Sequence, residues 1–281
     1  MMAAKGCRIV LACRSKAKAL EAIASVKKDI PDADVHFMAL DLADWDSVKK
    51  FAAEFKQKDW PIHILMNNAG IMAPYDCEMS KFGIEMQMAG NHLGHFYLTS
   101  LLVPVIRDTA ATAGNVRIVN LSSAAHQLTY GGGIDFENIN NPAKYTSFLS
   151  YGQSKLANIL FSNHLQRLLE SQGQHNVFVN SVHPGGVNTN LATKTAYLSS
   201  VHFLLEPILR YVILSPETGA LTQVYAATSD DVVKKGYKAK YFVPVATLDR
   251  TSTHGEDAML AEKLWDWSME TLKSKGFTCS W

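Results

Sequence analysis

The 281-residue chain has almost no net charge, with 27 Lys and Arg against 26 Asp and Glu. A nucleic-acid binder needs a basic stripe that displaces counterions, so no nucleic-acid partner is expected. Cysteine is scarce too. Cys7, Cys13, Cys77 and Cys279 form no CxxC pair and show no metal-type spacing with histidine. That argues against a disulfide framework or a metal site, and for reduced thiols in an intracellular, cytoplasmic protein. Long apolar runs are missing as well. The stretch Leu198 to Leu214 is interrupted by Glu206 and Arg210, whereas a membrane span needs about 20 mostly apolar residues. The opening residues lack the charged, apolar and small-residue regions of a signal peptide. No repeat or low-complexity run breaks the chain into modules.

What is present is a chain with 47% hydrophobic residues, enough to fold as one large α/β domain. Arg8-Ile9-Val10-Leu11-Ala12 reads as a buried strand, and Ser15 caps a helix that presents Ala17, Leu20, Ile23 and Ala24 on one face. Val35 to Leu40 predicts a second strand and Asp44 to Lys58 a second helix. Ile62 to Met66 is a third strand, Met86 to Thr109 a helix and Val116 to Leu121 a strand. Tyr151 to Gln172 is a helix and Val177 to Val182 a further strand. Apolar strands alternating with helices of this length imply βαβ units, hence a doubly wound parallel sheet of Rossmann type. Trp265 and Trp267 cannot both face one way on a helix, so one of them is expected outside the core.

The chemistry centres on Tyr151-Gly152-Gln153-Ser154-Lys155. A Tyr and a Lys four apart on a helix share a face, and an ammonium beside a phenol favours the phenolate. That draws an ordinary phenol, a poor base at neutral pH, toward useful acid–base work. Asn120-Leu121-Ser122-Ser123 ends a strand at the carboxyl edge, where open α/β sheets bind ligands. Asn67-Asn68-Ala69-Gly70 ends a strand at the same edge, either as a plain turn or as a place for a flat ligand to approach backbone. Asn91, in Gly90-Asn91-His92-Leu93-Gly94, lies within a helix.

Taken with Pro184-Gly185-Gly186-Val187-Asn188-Thr189, this ordered set resembles the short-chain dehydrogenase/reductase family. The resemblance runs from about Gly6 to the mid 220s. It is closest to the retinol dehydrogenase-like branch, through Leu11-Ala12-Cys13-Arg14-Ser15, Asn91-His92-Leu93-Gly94-His95-Phe96, Ser122-Ser123-Ala124-Ala125-His126 and Tyr151 to Asn158. It implies that Tyr151 exchanges the proton with a carbonyl or alcohol, and that Lys155 tunes Tyr151 and holds the nicotinamide ribose. Ser123 would orient the substrate oxygen, with Ser122 as the fallback, and Asn91 would hold a water that relays protons from Lys155. It also implies cofactor contacts at Asp41 and Leu42 (adenine), at Asn68, Ala69 and Gly70, and at Pro184, Gly185, Val187 and Thr189 (carboxamide and phosphate). Arg14, just after the first strand, suits a ribose 2′-phosphate, which favours NADP over NAD.

One family feature has no counterpart in the sequence. Met1 to Gly6 looks like the end of a first helix, and no TGxxxGxG turn precedes it. Gly131-Gly132-Gly133 follows no strand and opens no helix. The sheet is therefore expected to lack its first strand and most of its first helix, leaving a gap or an abnormal pairing between the strands at 8–12 and 62–66. Either a longer protein starts upstream or the chain is a shortened relative. Segment 190–215, with its apolar stripe, is expected to be a substrate lid, a core helix or a membrane-surface or subunit contact. Two functions follow. One is an NADP-dependent oxidoreductase acting on a lipophilic carbonyl or alcohol, with room for a homo-oligomer. The other is a non-catalytic binding or scaffold module.

Overall fold

A computed structural model describes residues 1–186 and 215–281. Strand β1 (Ile9–Cys13) leads into helix α1 (Lys16–Asp29), whose first turn is capped by the Ser15 side chain accepting from the Lys18 N–H. Strand β2 (Val35–Ala39) is followed by α2 (Trp45–Lys56), where the Asp44 carboxylate accepts from the N–H groups of Asp46 and Ser47. Strand β3 (Ile64–Asn67) comes next. The helix expected over 86–109 has two parts: a π-helical turn, Met88–Leu93, running into α3, Gly94–Ala113. Strand β4 (Val116–Leu121), helix α4 (Ser147–Ser171) and strand β5 (Val177–Val182) follow. Beyond residue 214 come α5 (Pro216–Thr228), α6 (Asp230–Lys234), β6 (Tyr241–Val243), β7 (Thr247–Asp249), α7 (Thr253–Glu256) and α8 (Ala258–Ser274).

Strands β3, β4, β5 and β6 pair in parallel, and β7 closes the edge as an antiparallel hairpin partner. The sheet with its flanking helices is the expected Rossmann-type α/β fold. Strands β1 and β2 pair in parallel with each other only, as a separate two-stranded sheet. No described residue supplies a strand between β1 and β3, which is the gap the sequence predicts. Burial registers the difference. All six residues of β5 are buried, whereas all five of β1, apolar as they are, remain half-buried.

The main core lies between the five-stranded sheet and helices α2, α3, α4 and α8, with Trp45, Phe96, Leu156 and Leu160 fully buried. Burying a side chain of that size contributes about 1.5–3 kcal/mol. Helix α8 locks on through aromatics: Trp265 meets Phe96 edge-on at 4.8 Å, and Trp281 meets Trp265 at 4.5 Å. Trp265 is buried, while Trp267, two residues further along the helix, is half-buried against the margin of the same core.

Candidate functional site

Each predicted site residue in the described region sits at the carboxyl end of a strand or on the helices facing it. Arg14 follows β1 and is exposed. Asp41 and Leu42 follow β2 and are half-buried. Asn68, Ala69 and Gly70 follow β3, Ser123 follows β4, and Pro184 and Gly185 follow β5. Val187, Thr189 and the expected lid at 190–215, apart from residue 215, lie outside the described residues.

A buried amide ladder fixes this edge. Asn67 Nδ2 donates to Asn120 Oδ1 (2.7 Å) and Thr99 Oγ1 (3.0 Å), and Asn120 Nδ2 donates to Ser162 Oγ (2.8 Å). Strands β3 and β4 are thereby tied to α3 and to α4, which carries Tyr151 and Lys155. The two adjacent serines divide their work. Ser122 is buried and its hydroxyl donates to the Lys155 carbonyl at 2.8 Å, so it serves α4 rather than the cleft. Ser123 is half-buried beside the Tyr151 phenol.

Tyr151 and Lys155 meet as their spacing demands, with the lysine Nζ 5.6 Å from the centroid of the tyrosine ring. The balance on the phenol runs opposite to the sequence expectation. Burial raises its pKa above the ordinary tyrosine value, and only the neighbouring Ser123 hydroxyl opposes that rise. The ammonium is itself compromised: burial alone brings Lys155 down to about 8. Its amine donates to the Leu121 carbonyl at 3.3 Å and pairs with no carboxylate among the described residues.

Asn91 is fully buried in the π-helical turn. Its Oδ1 accepts from the Ile71 N–H (2.8 Å), while Nδ2 donates to the Ile71 carbonyl (3.0 Å) and to Ser154 Oγ (3.0 Å). The carboxamide thus holds the turn that follows β3, and the Asn91 main-chain carbonyl accepts from His95 Nδ1 at 2.9 Å. Gly70 lets the backbone come close to Asn91 and Lys155 here. A Cβ at that position would stand 3.1 Å from Asn91 Oδ1 and 3.2 Å from Lys155 Nζ.

Three residues escape notice from sequence alone. At Gly152 a Cβ would lie 1.9 Å from the Leu128 carbonyl oxygen, so the turn carrying Tyr151 presses directly on the loop after Ser123. At Gly94 a Cβ would lie 2.3 Å from the Leu42 carbonyl oxygen. A glycine inside a helix is the available signal for both, since it marks close backbone approach. His126 is the third, with both ring nitrogens hydrogen-bonded to backbone.

Residues 1–136 match the family model for short chain dehydrogenases. Over 272 residues the chain is 39% identical to the short-chain dehydrogenase TIC 32 B, chloroplastic, of Brassica napus, covering 96% of this chain and 82% of that protein. The chain belongs to the short-chain dehydrogenase family. Within this family of oxidoreductases it is retinol dehydrogenase-like: it is 36% identical to retinol dehydrogenase 11 of Mus musculus over 273 residues, 96% of this chain and 80% of that one. Among solved structures, an uncharacterized protein from Mycobacterium paratuberculosis superposes with a TM-score of 0.73 at 30% identity, covering 97% of this chain and 86% of the other. As a short-chain dehydrogenase the chain has small-molecule chemistry, and none of its described helices is long and apolar enough to cross a membrane. No cluster of His, Cys, Asp and Glu among the described residues is arranged to hold a metal ion.

Proposed function

We propose that this short-chain dehydrogenase is an NADP-dependent oxidoreductase that interconverts a carbonyl and an alcohol on a lipophilic small molecule. The observation that carries the reading is the convergence of Ser123, Tyr151 and Lys155 at one sheet edge, with the Gly70 backbone close against Lys155. When bound, the nicotinamide supplies or takes the hydride. Ser123 donates to the substrate oxygen and orients it. Tyr151 gives that oxygen its proton in reduction and removes it in oxidation. Lys155 stabilises the phenolate left behind, and Asn91 serves the proton route from Lys155 to solvent.

The nicotinamide-ribose half of such a cofactor suits the residues present. Lys155 is a buried amine with donors to spare, and it faces a glycine where any side chain would intrude. Lys155 and Tyr151 would hold the ribose. Asn68, Ala69 and Gly70 would contribute backbone, Pro184, Gly185, Val187 and Thr189 the carboxamide contacts, and Asp41 and Leu42 the adenine contacts. Arg14, exposed after β1, is matched to a 2′-phosphate rather than to a bare hydroxyl. The pyrophosphate half has no glycine-rich turn opening a helix among the described residues.

An apolar rim supports a lipophilic substrate. Leu128, whose backbone abuts Gly152, and Phe148, about one turn earlier on α4, are exposed large apolar residues, and the Tyr145 hydroxyl donates to the Pro74 carbonyl at 2.7 Å, next to exposed Tyr75. The same rim suits contact with a membrane surface or a second copy of a cytoplasmic protein.

A second reading is a binding or scaffold module without turnover, favoured by the lack of a glycine-rich turn opening a helix among the described residues. Titration of the purified chain with NADPH, followed by nicotinamide fluorescence, separates the two. Saturable binding with turnover that Tyr151→Phe abolishes supports the enzyme. No binding at millimolar NADPH, with the fold intact by circular dichroism, leaves the module.

A further inference from the structure

The carboxyl end of β4 has a second fastening besides the sheet. Ser123 is extended (φ −158°, ψ 157°) and its Oγ accepts from the Ala125 N–H at 3.2 Å. Its carbonyl accepts from the His126 N–H (3.0 Å) and lies 2.7 Å from His126 Nδ1. The other ring nitrogen, Nε2, lies 3.1 Å from the backbone nitrogen of Ser252. A carbonyl only accepts and a backbone N–H only donates. His126 is therefore neutral, with its proton on Nδ1 and a bare Nε2. The ring is 1% exposed and meets Tyr241 edge-on at 5.1 Å.

We propose that His126 is a positioning residue, a neutral clamp between the Ser123 carbonyl and the Ser252 N–H that holds the serine in register with Tyr151. The path closes on α4. Ser252 caps α7, its Oγ accepting from the Gly255 N–H at 3.3 Å, and the Gly255 carbonyl accepts from Asn163 Nδ2 on α4 at 2.9 Å. Serine and tyrosine are thus joined by a route that passes outside the sheet, and both ends of the imidazole rest on backbone. The proposal rests on the reading of Ser123 as the residue that orients the substrate oxygen. Four groups face the ring: Ser123 from its own turn, His183 from the end of β5, and Tyr241 and Asp249 from the β6–β7 hairpin. Burial outweighs the Ser123 carbonyl and the Asp249 carboxylate and lowers the His126 pKa. A second proton, on Nε2, would confront the Ser252 N–H and open the clamp.

The test has two readouts that need no turnover and one that does. Long-range proton–nitrogen NMR of the whole chain is expected to show His126 as the Nδ1–H tautomer at pH 7, titrating below the ordinary histidine range. Amide exchange is expected to speed up at Ser252 at least tenfold in His126→Phe. Reduction of 4-nitrobenzaldehyde by NADPH is expected to lose about tenfold in kcat, the scale of a small misplacement of a reacting group. Part of that loss should return in His126→Asn, whose amide reaches the Ser123 carbonyl. An Nε2–H or charged ring at pH 7, or a Ser252 amide as well protected in His126→Phe as in the parent chain, overturns the clamp. Full activity in His126→Phe alongside an inactive Ser123→Ala overturns the positioning role. Full activity in Ser123→Ala instead overturns the role of the serine, while the tautomer and exchange measurements still report on the clamp.

Discussion

Replacing Lys155 with methionine should make the protein more stable while removing its chemistry. The lysine is 5% exposed, and burial brings its pKa from an ordinary 10.5 to about 8. That difference amounts to about 3 kcal/mol against the charged form. The sign follows from proton binding. Between about 8 and 10.5 the unfolded chain holds a proton that the folded chain has released, so stability rises with pH across that window. Below about 8 both states are protonated and the full cost is present. Methionine keeps the length and apolar stem and removes the charge. The Leu121 carbonyl is not orphaned, because Asn158 Nδ2 still donates to it at 2.9 Å. Allowing about 1 kcal/mol for the lost hydrogen bond from Nζ, the net gain at pH 7 is about 2 kcal/mol. Urea unfolding followed by tryptophan fluorescence at pH 7 and pH 10 measures it. The gain should be present at pH 7 and mostly gone at pH 10. A variant less stable than the parent at pH 7, or an equal gain at both pH values, would refute the argument from an unpaired buried ammonium.

Gly152→Ala should destabilise the protein by about 3 kcal/mol, the upper end for overpacking, because its Cβ would collide with the Leu128 carbonyl; thermal melting checks this, and an unchanged Tm would contradict the close approach. Gly94→Ala should meet the Leu42 backbone in the same way and weaken NADPH binding more than folding, read from fluorescence titration beside a melting curve. Arg14→Asp should move cofactor preference from NADP toward NAD, measured as the ratio of the two dissociation constants; an unchanged ratio removes Arg14 from the site. Tyr151→Phe should lose turnover while retaining NADPH binding, so near-normal rates would send the search for the proton donor elsewhere.

The alternation of β-branched runs and capped helices made the sheet legible, because each strand is short, apolar and bounded by turn residues. The Ser15 and Asp44 caps are where the pattern places them. The Tyr151–Lys155 juxtaposition was equally legible, since helical spacing alone sets it. The direction of the tyrosine's pKa was not. It depends on how deeply two groups are buried, and burial is a property of the whole packing rather than of a five-residue motif. The separate jobs of Ser122 and Ser123 were hidden for the related reason that alternate residues of a strand face opposite sides. Asn91 reads as a polar residue within a helix. Its hold on Ile71 emerges only when the π-helical turn aims the carboxamide across 20 residues of chain.

The two-stranded sheet β1–β2 has no backbone ladder to β3. Its attachment depends on packing: Val10 and Ala12 against the main core, Leu42 on Gly94, and Arg8 and His36 around Trp60. Structure held by packing alone opens at lower free energy than structure held by a continuous ladder. The β1–α1–β2 unit should therefore form a foldon of its own, melting ahead of β3–β7. As urea rises, the chain would part with the end that carries Arg14 while the frame around Tyr151 is still native.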